Sequence, residues 1–171
     1  MLIVFGGLPG VGKTTIARQL AQQLGATLIR IDSIEQAIIR SGLITGDIGP
    51  AGYCAAYEIA KDNLVLGRTV IADSVNPIAI TREAWKAVAT EAGVPCIEVE
   101  IVCSDASQHK QRVETRKADI EGHKLPDWEA VANREYEPLP TADLRIDTAT
   151  CSPEAAVNRI GALVTKIRLS N

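Results

Sequence analysis

The segment Gly7-Leu8-Pro9-Gly10-Val11-Gly12-Lys13-Thr14 satisfies the spacing GxxxxGK[ST] in full, and its flanks decide the fold. On its amino side, Leu2 to Phe5 is a short continuous apolar run that reads as a buried strand. On its carboxyl side, Lys13 to Leu24 carries Ile16, Leu20 and Leu24 four residues apart, one face of a helix that Gly25 stops. A glycine-rich turn between strand and helix lets backbone N–H groups converge on phosphate oxygens, with the positive end of the helix dipole behind them. Lys13 supplies a mobile positive charge for β- and γ-phosphates. The Thr14 hydroxyl suits a magnesium ion bridging the same phosphates. Gly7 to Thr14, with Thr15 behind them, are therefore the candidate nucleoside-triphosphate residues, with Mg2+ expected beside the phosphates; the motif alone does not choose between a kinase, an ATPase and a GTPase.

Outward from this motif, short β-branched runs alternate with helical stretches. Further strands are expected at Thr27 to Ile31, Val70 to Ala72, Cys96 to Val102 and Leu144 to Ile146. Helices are expected at Ser33 to Arg40, Tyr53 to Leu66, Thr81 to Ala92, Ser104 (as cap) to Ala118, Trp128 to Glu137, and from Ser152-Pro153 to Leu169. Glycines and a proline make 43–52 a loop, and 119–127 is polar and breaks helical periodicity. This order predicts one α/β domain over 1–171: a three-layer α/β/α sandwich on a five-stranded parallel sheet, with a short helical lid near 112–127. Ligands of such sheets bind beyond the carboxyl ends of the strands, so polar residues there are the candidates.

Asp32 follows the second strand. It is placed to accept the proton of an acceptor hydroxyl or to hold that hydroxyl in line; capping the next helix is the other reading. Asp73 follows the third strand, where an acid holds magnesium directly or through water, or else forms the turn before Asn76-Pro77. Ser74 and Asn76 are close enough in sequence to help bind substrate. Arg112 and Arg116 stand one helical turn apart. They are expected to clamp phosphates, stack on a base or neutralise developing charge, unless they form a solvated face with Glu114 and Asp119. The segment after them has the character of a movable lid, with Pro126-Asp127-Trp128 docking its far end. His109 and His123 read as surface residues. Trp85, Trp128 and Tyr136 read as core or lid packing, while Arg134 and Arg145 are weaker nucleotide candidates.

Composition narrows the partners. The chain has 171 residues, 46% hydrophobic and 23% charged, the profile of a globular protein, and aromatics at 4% leave the core to Ala, Val, Ile and Leu. A net charge of −3 argues against strong general affinity for nucleic acid or anionic membranes. The apolar run at Met1 to Phe5 is too short for a signal peptide and has no basic flank, and no stretch is long enough to span a bilayer. A cytoplasmic protein is expected. Cys54, Cys96, Cys103 and Cys151 form no CxxC pair and are expected to be buried thiols in a reducing compartment.

The phosphate loop, Ile31-Asp32-Ser33-Ile34-Glu35-Gln36-Ala37, the Asp73 turn, the Arg112/Arg116 helix and Leu144-Arg145-Ile146-Asp147-Thr148 together resemble the P-loop small-molecule kinases. That zeta-toxin-like group includes chloramphenicol phosphotransferase, gluconate kinase, adenylylsulfate kinase and polynucleotide kinase domains. The resemblance covers nearly the whole chain in order and implies ATP-dependent phosphorylation of a hydroxyl. It implies Asp32 as base, by likeness to chloramphenicol phosphotransferase at Ile31 to Ala37. It also implies adenine as the base of the nucleotide, and the guanine signature Asn-Lys-x-Asp does not occur. Polynucleotide kinases carry arginine where Glu35 stands, which argues against a polynucleotide acceptor; a polynucleotide or nucleotide-sugar kinase, including a zeta-type toxin, is the alternative within the class. A regulatory ATPase acting through a protein partner is the alternative of another class.

Overall fold

The computed structural model describes residues 1–44 and 46–170, so Thr45, within the 43–52 loop, and Asn171 lie outside the described residues. Five parallel strands form one sheet: β1 (Leu2–Gly6), β2 (Thr27–Arg30), β3 (Val70–Asp73), β4 (Cys96–Val102) and β5 (Leu144–Asp147). Their spatial order is β2-β3-β1-β4-β5, all in parallel register. Seven helices alternate with them among the described residues: α1 (Lys13–Leu24), α2 (Ile31–Arg40), α3 (Ala51–Val65), α4 (Ala79–Glu91), α5 (Ala106–Thr115), α6 (Trp128–Ala132) and α7 (Pro153–Ser170). None is long and apolar enough to cross a membrane.

The apolar run of β1 is continuous because both sheet faces are covered. Ile3 and Phe5 pack with Ile16, Leu20 and Ile160 of α1 and α7, while Leu2 and Val4 pack with Ala56, Leu64 and Trp85 of α3 and α4. Strand β4 departs from this rule. Ile97, Val99 and Ile101 join the first core, but Glu98 and Glu100 between them are buried acids. Glu100 Oε1 accepts from Tyr136 Oη (3.0 Å) and Leu139 N (3.0 Å), so the segment after α6 covers this part of the sheet. Arg82, itself buried, holds that segment down by donating to the carbonyls of Asn76, Pro77, Glu137 and Pro138.

Several boundaries differ from the sequence expectation, each for a local reason. Residue 31 begins α2 rather than ending β2: the backbone is extended at Arg30 and turns helical immediately after. The cap of α5 is Asp105, whose carboxylate accepts from Gln108 N at 2.9 Å, not Ser104. Helix α5 ends at Thr115, and α6 ends at Ala132, before Tyr136. Residues 116–127 contain no helix and are flanked by α5 and α6. The thiols are free; Cys54, in the first turn of α3, is exposed, and Cys96, Cys103 and Cys151 are only partly buried, packed against the margins of the core.

Candidate active site

Three glycines shape the loop between β1 and α1, with φ of 139° at Gly7, 85° at Gly10 and 101° at Gly12. Gly7 is fixed twice over, since a Cβ there would stand 2.1 Å from the Ile101 carbonyl oxygen. Gly12 caps α1 without a side-chain hydrogen bond, leaving the amides of the first turn for a ligand. Lys13 is buried, and its Nζ donates to the carbonyls of Gly7 (2.7 Å) and Leu8 (2.9 Å). Burial pulls its pKa down to about 8; Asp73 and Asp32 oppose that shift, and Arg116 and Arg134 add to it.

Asp73 ends β3 in register with Phe5 of β1, directly beside the loop. Thr14 Oγ1 donates to Asp73 Oδ2 at 2.7 Å. Desolvation raises the Asp73 pKa, while Lys13, the Thr14 hydroxyl and Arg30 hold it back. A hydroxyl and a carboxylate in contact at the mouth of a phosphate loop fit magnesium, a hard cation that takes few protein ligands and completes its shell with phosphate and water. In keeping with that division, no group of three or more His, Cys, Asp or Glu among the described residues is arranged to hold a metal by itself.

A cavity of about 840 Å3 opens over the loop. Pro9, Gly10, Gly12, Lys13, Thr14 and Thr15 line it, as do Asp32, Asp73, Ser74, Arg112 and Arg116. Gly7, Leu8 and Val11 do not: the Val11 side chain is buried in the core and Leu8 packs against it. Asp32 sits in the first turn of α2, where Arg30 holds the cap position, so Asp32 is not the cap. Its carboxylate makes no hydrogen bond or ion pair at bonding distance among the described residues. It acts electrostatically on Lys13, Glu35 and Arg116 instead. Glu35, one helical turn on, is packed so tightly under Gly52 that a Cβ on that glycine would stand 2.3 Å from Glu35 Cγ. Burial raises the Glu35 pKa, and Asp32 adds to the shift. Ser74 borders the cavity, whereas Asn76 is buried behind it, its N–H donating to Tyr53 Oη at 3.3 Å.

Arg112 and Arg116 do not act as one helical face. Arg112 donates to Thr148 Oγ1 (2.8 Å) and Thr148 O (3.0 Å), and Thr148 Oγ1 lies 2.9 Å from the Val11 carbonyl, which it can bond in turn. Arg112 thus ties β5's exit to the phosphate loop. Arg116 lies just past the helix end; its Nη2 donates to Pro126 O (3.4 Å) and its charge acts on Asp32. Neither pairs with Glu114 or Asp119: Glu114 meets Lys110, and Asp119 takes Arg18 and Arg30.

Other contacts escaped the sequence. His109 is buried rather than exposed, and its Nε2 lies 2.8 Å from the Pro9 carbonyl. Trp128 packs edge-on against that imidazole, with centroids 5.3 Å apart, which docks the start of α6 near the phosphate loop. His123 borders the cavity with Lys117 and Lys124 of the 116–127 segment. Arg134 also borders it, but Arg145 turns away to Glu100 (3.4 Å). Arg30, not singled out in the sequence, bridges Asp73 and Asp119. An arginine just ahead of an acid at a strand end was the one available signal.

The AAA domain family model matches residues 2–134. The chain belongs to the AAA domain family. Among curated proteins, an uncharacterised protein of Mycobacterium tuberculosis is 37% identical over 76 residues, covering 39% of this AAA domain chain and 15% of that protein. A provisionally named adenylate kinase of Pyrococcus furiosus is 33% identical over 70 residues, 39% of either chain. The chain therefore matches only 15% to 39% of the length of these curated relatives. Among solved structures, a provisionally named kinase from Chloroflexus aurantiacus superposes with a TM-score of 0.75 at 24% identity, over 96% of both chains. APS kinase CysC of Mycobacterium tuberculosis, in complex with AMPPNP and APS, gives 0.72 at 16% identity over 96% of both. Chaetomium thermophilum Kti12 in complex with ADP-AlF3 gives 0.68 at 24% identity, over 95% of this chain and 98% of that one. These likenesses show that the chain shares its α/β fold with the two kinase structures and with Kti12.

Proposed function

We propose that the protein transfers the γ-phosphoryl group of Mg-ATP to a hydroxyl of a small molecule. The observation that carries this reading is Asp32: a carboxylate without a hydrogen-bond partner among the described residues, on the cavity that Lys13, Thr14 and Asp73 also line. Thr14 and Asp73 would hold magnesium, which when bound neutralises phosphate charge. Lys13 gives up its two carbonyl contacts to pair with the β- and γ-phosphates. Asp32 accepts the proton of the acceptor hydroxyl as that oxygen bonds to Pγ and the bond from Pγ to the bridging oxygen breaks, leaving ADP. Arg116, with Arg134, offsets charge spreading over the transferring group. The Arg112–Thr148–Val11 chain keeps the loop in shape and is a positioning element. The acceptor enters between Asp32, Ser74 and the start of α3, where Gly52 lies over Glu35.

The Chloroflexus structure and the APS kinase complex support the reading through their shared fold and their names as kinases. The test is to incubate the protein with γ-labelled ATP, magnesium and pools of small hydroxyl compounds, with 5′-hydroxyl oligonucleotides in a parallel arm. A labelled small-molecule product supports the proposal. Label on oligonucleotides replaces it with a polynucleotide acceptor. Slow phosphate release unmoved by any acceptor replaces it with a nucleotide-dependent switch.

A further inference from the structure

We infer that Arg30 is a positioning residue that couples closure of the lid at 116–127 to loading of the metal site at Asp73. This rests on the reading above only in taking Thr14 and Asp73 as the metal site. Arg30 ends β2 in register with Asp73 at the end of β3, so both side chains start from the same edge of the sheet. Arg30 Nε lies 3.5 Å from Asp73 Oδ2, the oxygen that already accepts from Thr14. Its other two nitrogens fork onto Asp119, Nη1 to Oδ2 at 3.0 Å and Nη2 to Oδ1 at 3.3 Å. Arg18 of α1 joins the same carboxylate at Oδ2. One guanidinium, with only 12% of its side chain exposed, therefore touches both the lid and the acid that anchors the metal.

The quality of the contacts on its two sides is unequal. Asp119 receives a two-pronged, charge-assisted pair, the stronger geometry. Asp73 receives a longer ion contact, and Arg30 Nε is buried without a hydrogen bond. In the closed arrangement Asp119 holds most of the guanidinium, so Asp73 Oδ2 keeps charge to offer a cation. If the lid lifts, Asp119 leaves with it and the whole guanidinium is free to settle on Asp73, where it competes with a divalent ion. Lid closure and metal binding then favour one another, and by linkage each strengthens the other by the same factor. Lysine cannot replace this function, because a point charge cannot fork onto one carboxylate while touching a second.

Limited trypsin digestion reads the lid directly, since Arg116, Lys117 and Lys124 lie within it. The probe is AMPPNP, with magnesium or with EDTA, so no transfer is required. For wild type, magnesium should slow lid cleavage by about fivefold or more beyond AMPPNP alone, the lower end of usual coupling. Asp119→Asn and Arg30→Lys should retain AMPPNP binding in EDTA, lose the extra protection, and raise the magnesium concentration for half-saturation by the same factor. A merely structural role would lower the thermal midpoint and speed cleavage equally with and without magnesium. An unchanged magnesium increment in either variant, or none in wild type, overturns the inference. If coupling is found but no acceptor is ever labelled, the inference stands and the phosphotransferase reading falls. If transfer is found without coupling, the reverse holds. Absence of AMPPNP binding overturns both.

Discussion

Burial of Lys13 makes nucleotide affinity depend on pH in a way that can be worked through. Its ammonium is enclosed by the loop, and its pKa falls to about 8 from an ordinary 10.5. A bound triphosphate places several negative charges against it and holds the proton on. The triphosphate therefore prefers the charged form, and affinity falls as pH rises through the pKa of the free protein. The loss grows as one plus ten to the power (pH minus pKa), so going from about pH 7 to about pH 9.5 should weaken binding about 30-fold, or about 2 kcal/mol. The effect on folding has the opposite sense. The folded pKa lies below the unfolded one, so the destabilisation is full below pH 8 and fades between about 8 and 10.5, where this group makes stability rise with pH. The assay is titration of a fluorescent ATP analogue with magnesium at constant ionic strength, comparing wild type with Lys13→Met. Wild type should show the decline and the variant a weak, flat profile. A flat wild-type profile, or the same slope in Lys13→Met, refutes the reasoning.

Further expectations concern the frame of the site. Gly7→Ala should remove nucleotide binding and lower stability by about 3 kcal/mol, from positive φ and the clash with Ile101 O. Gly67→Ala, at φ 78° with nothing within 4 Å, should cost only about 1 kcal/mol by chemical denaturation. His109→Ala should lose the contact to Pro9 O and the packing of Trp128, costing about 1–2 kcal/mol in denaturation and weakening nucleotide binding. Glu100→Ala strands Tyr136 Oη and Leu139 N, and should cost about 3 kcal/mol, whereas Tyr136→Phe should cost about 1 kcal/mol.

The parts legible in the sequence are those set by local chemistry. Gly7 to Thr14 states its conformation through its glycines, and the β1 run states burial on both faces. Asp73 is announced by the apolar strand before it, and it does meet Thr14. What stayed hidden depends on distant partners. Ile31 is apolar enough to read as strand, yet the turn at Arg30 puts it in a helix and removes the capping role from Asp32. His109 is a plain polar residue on α5 until the fold brings the Pro9 carbonyl to it from a hundred residues away. Arg112 and Arg116 share a helical spacing, but Thr148 claims one and the end of the helix re-aims the other. The bridge from Asp73 through Arg30 to Asp119 joins three segments that no periodicity connects.

The central claim, that Asp32 accepts the proton of an acceptor hydroxyl beside a magnesium-bound triphosphate, is tested most directly by single-turnover transfer from γ-labelled ATP in Asp32→Asn. With the acceptor found by screening, the variant should bind the nucleotide as wild type does while transfer falls by about a hundredfold or more, the usual worth of a general base. Transfer at the wild-type rate in Asp32→Asn would contradict it.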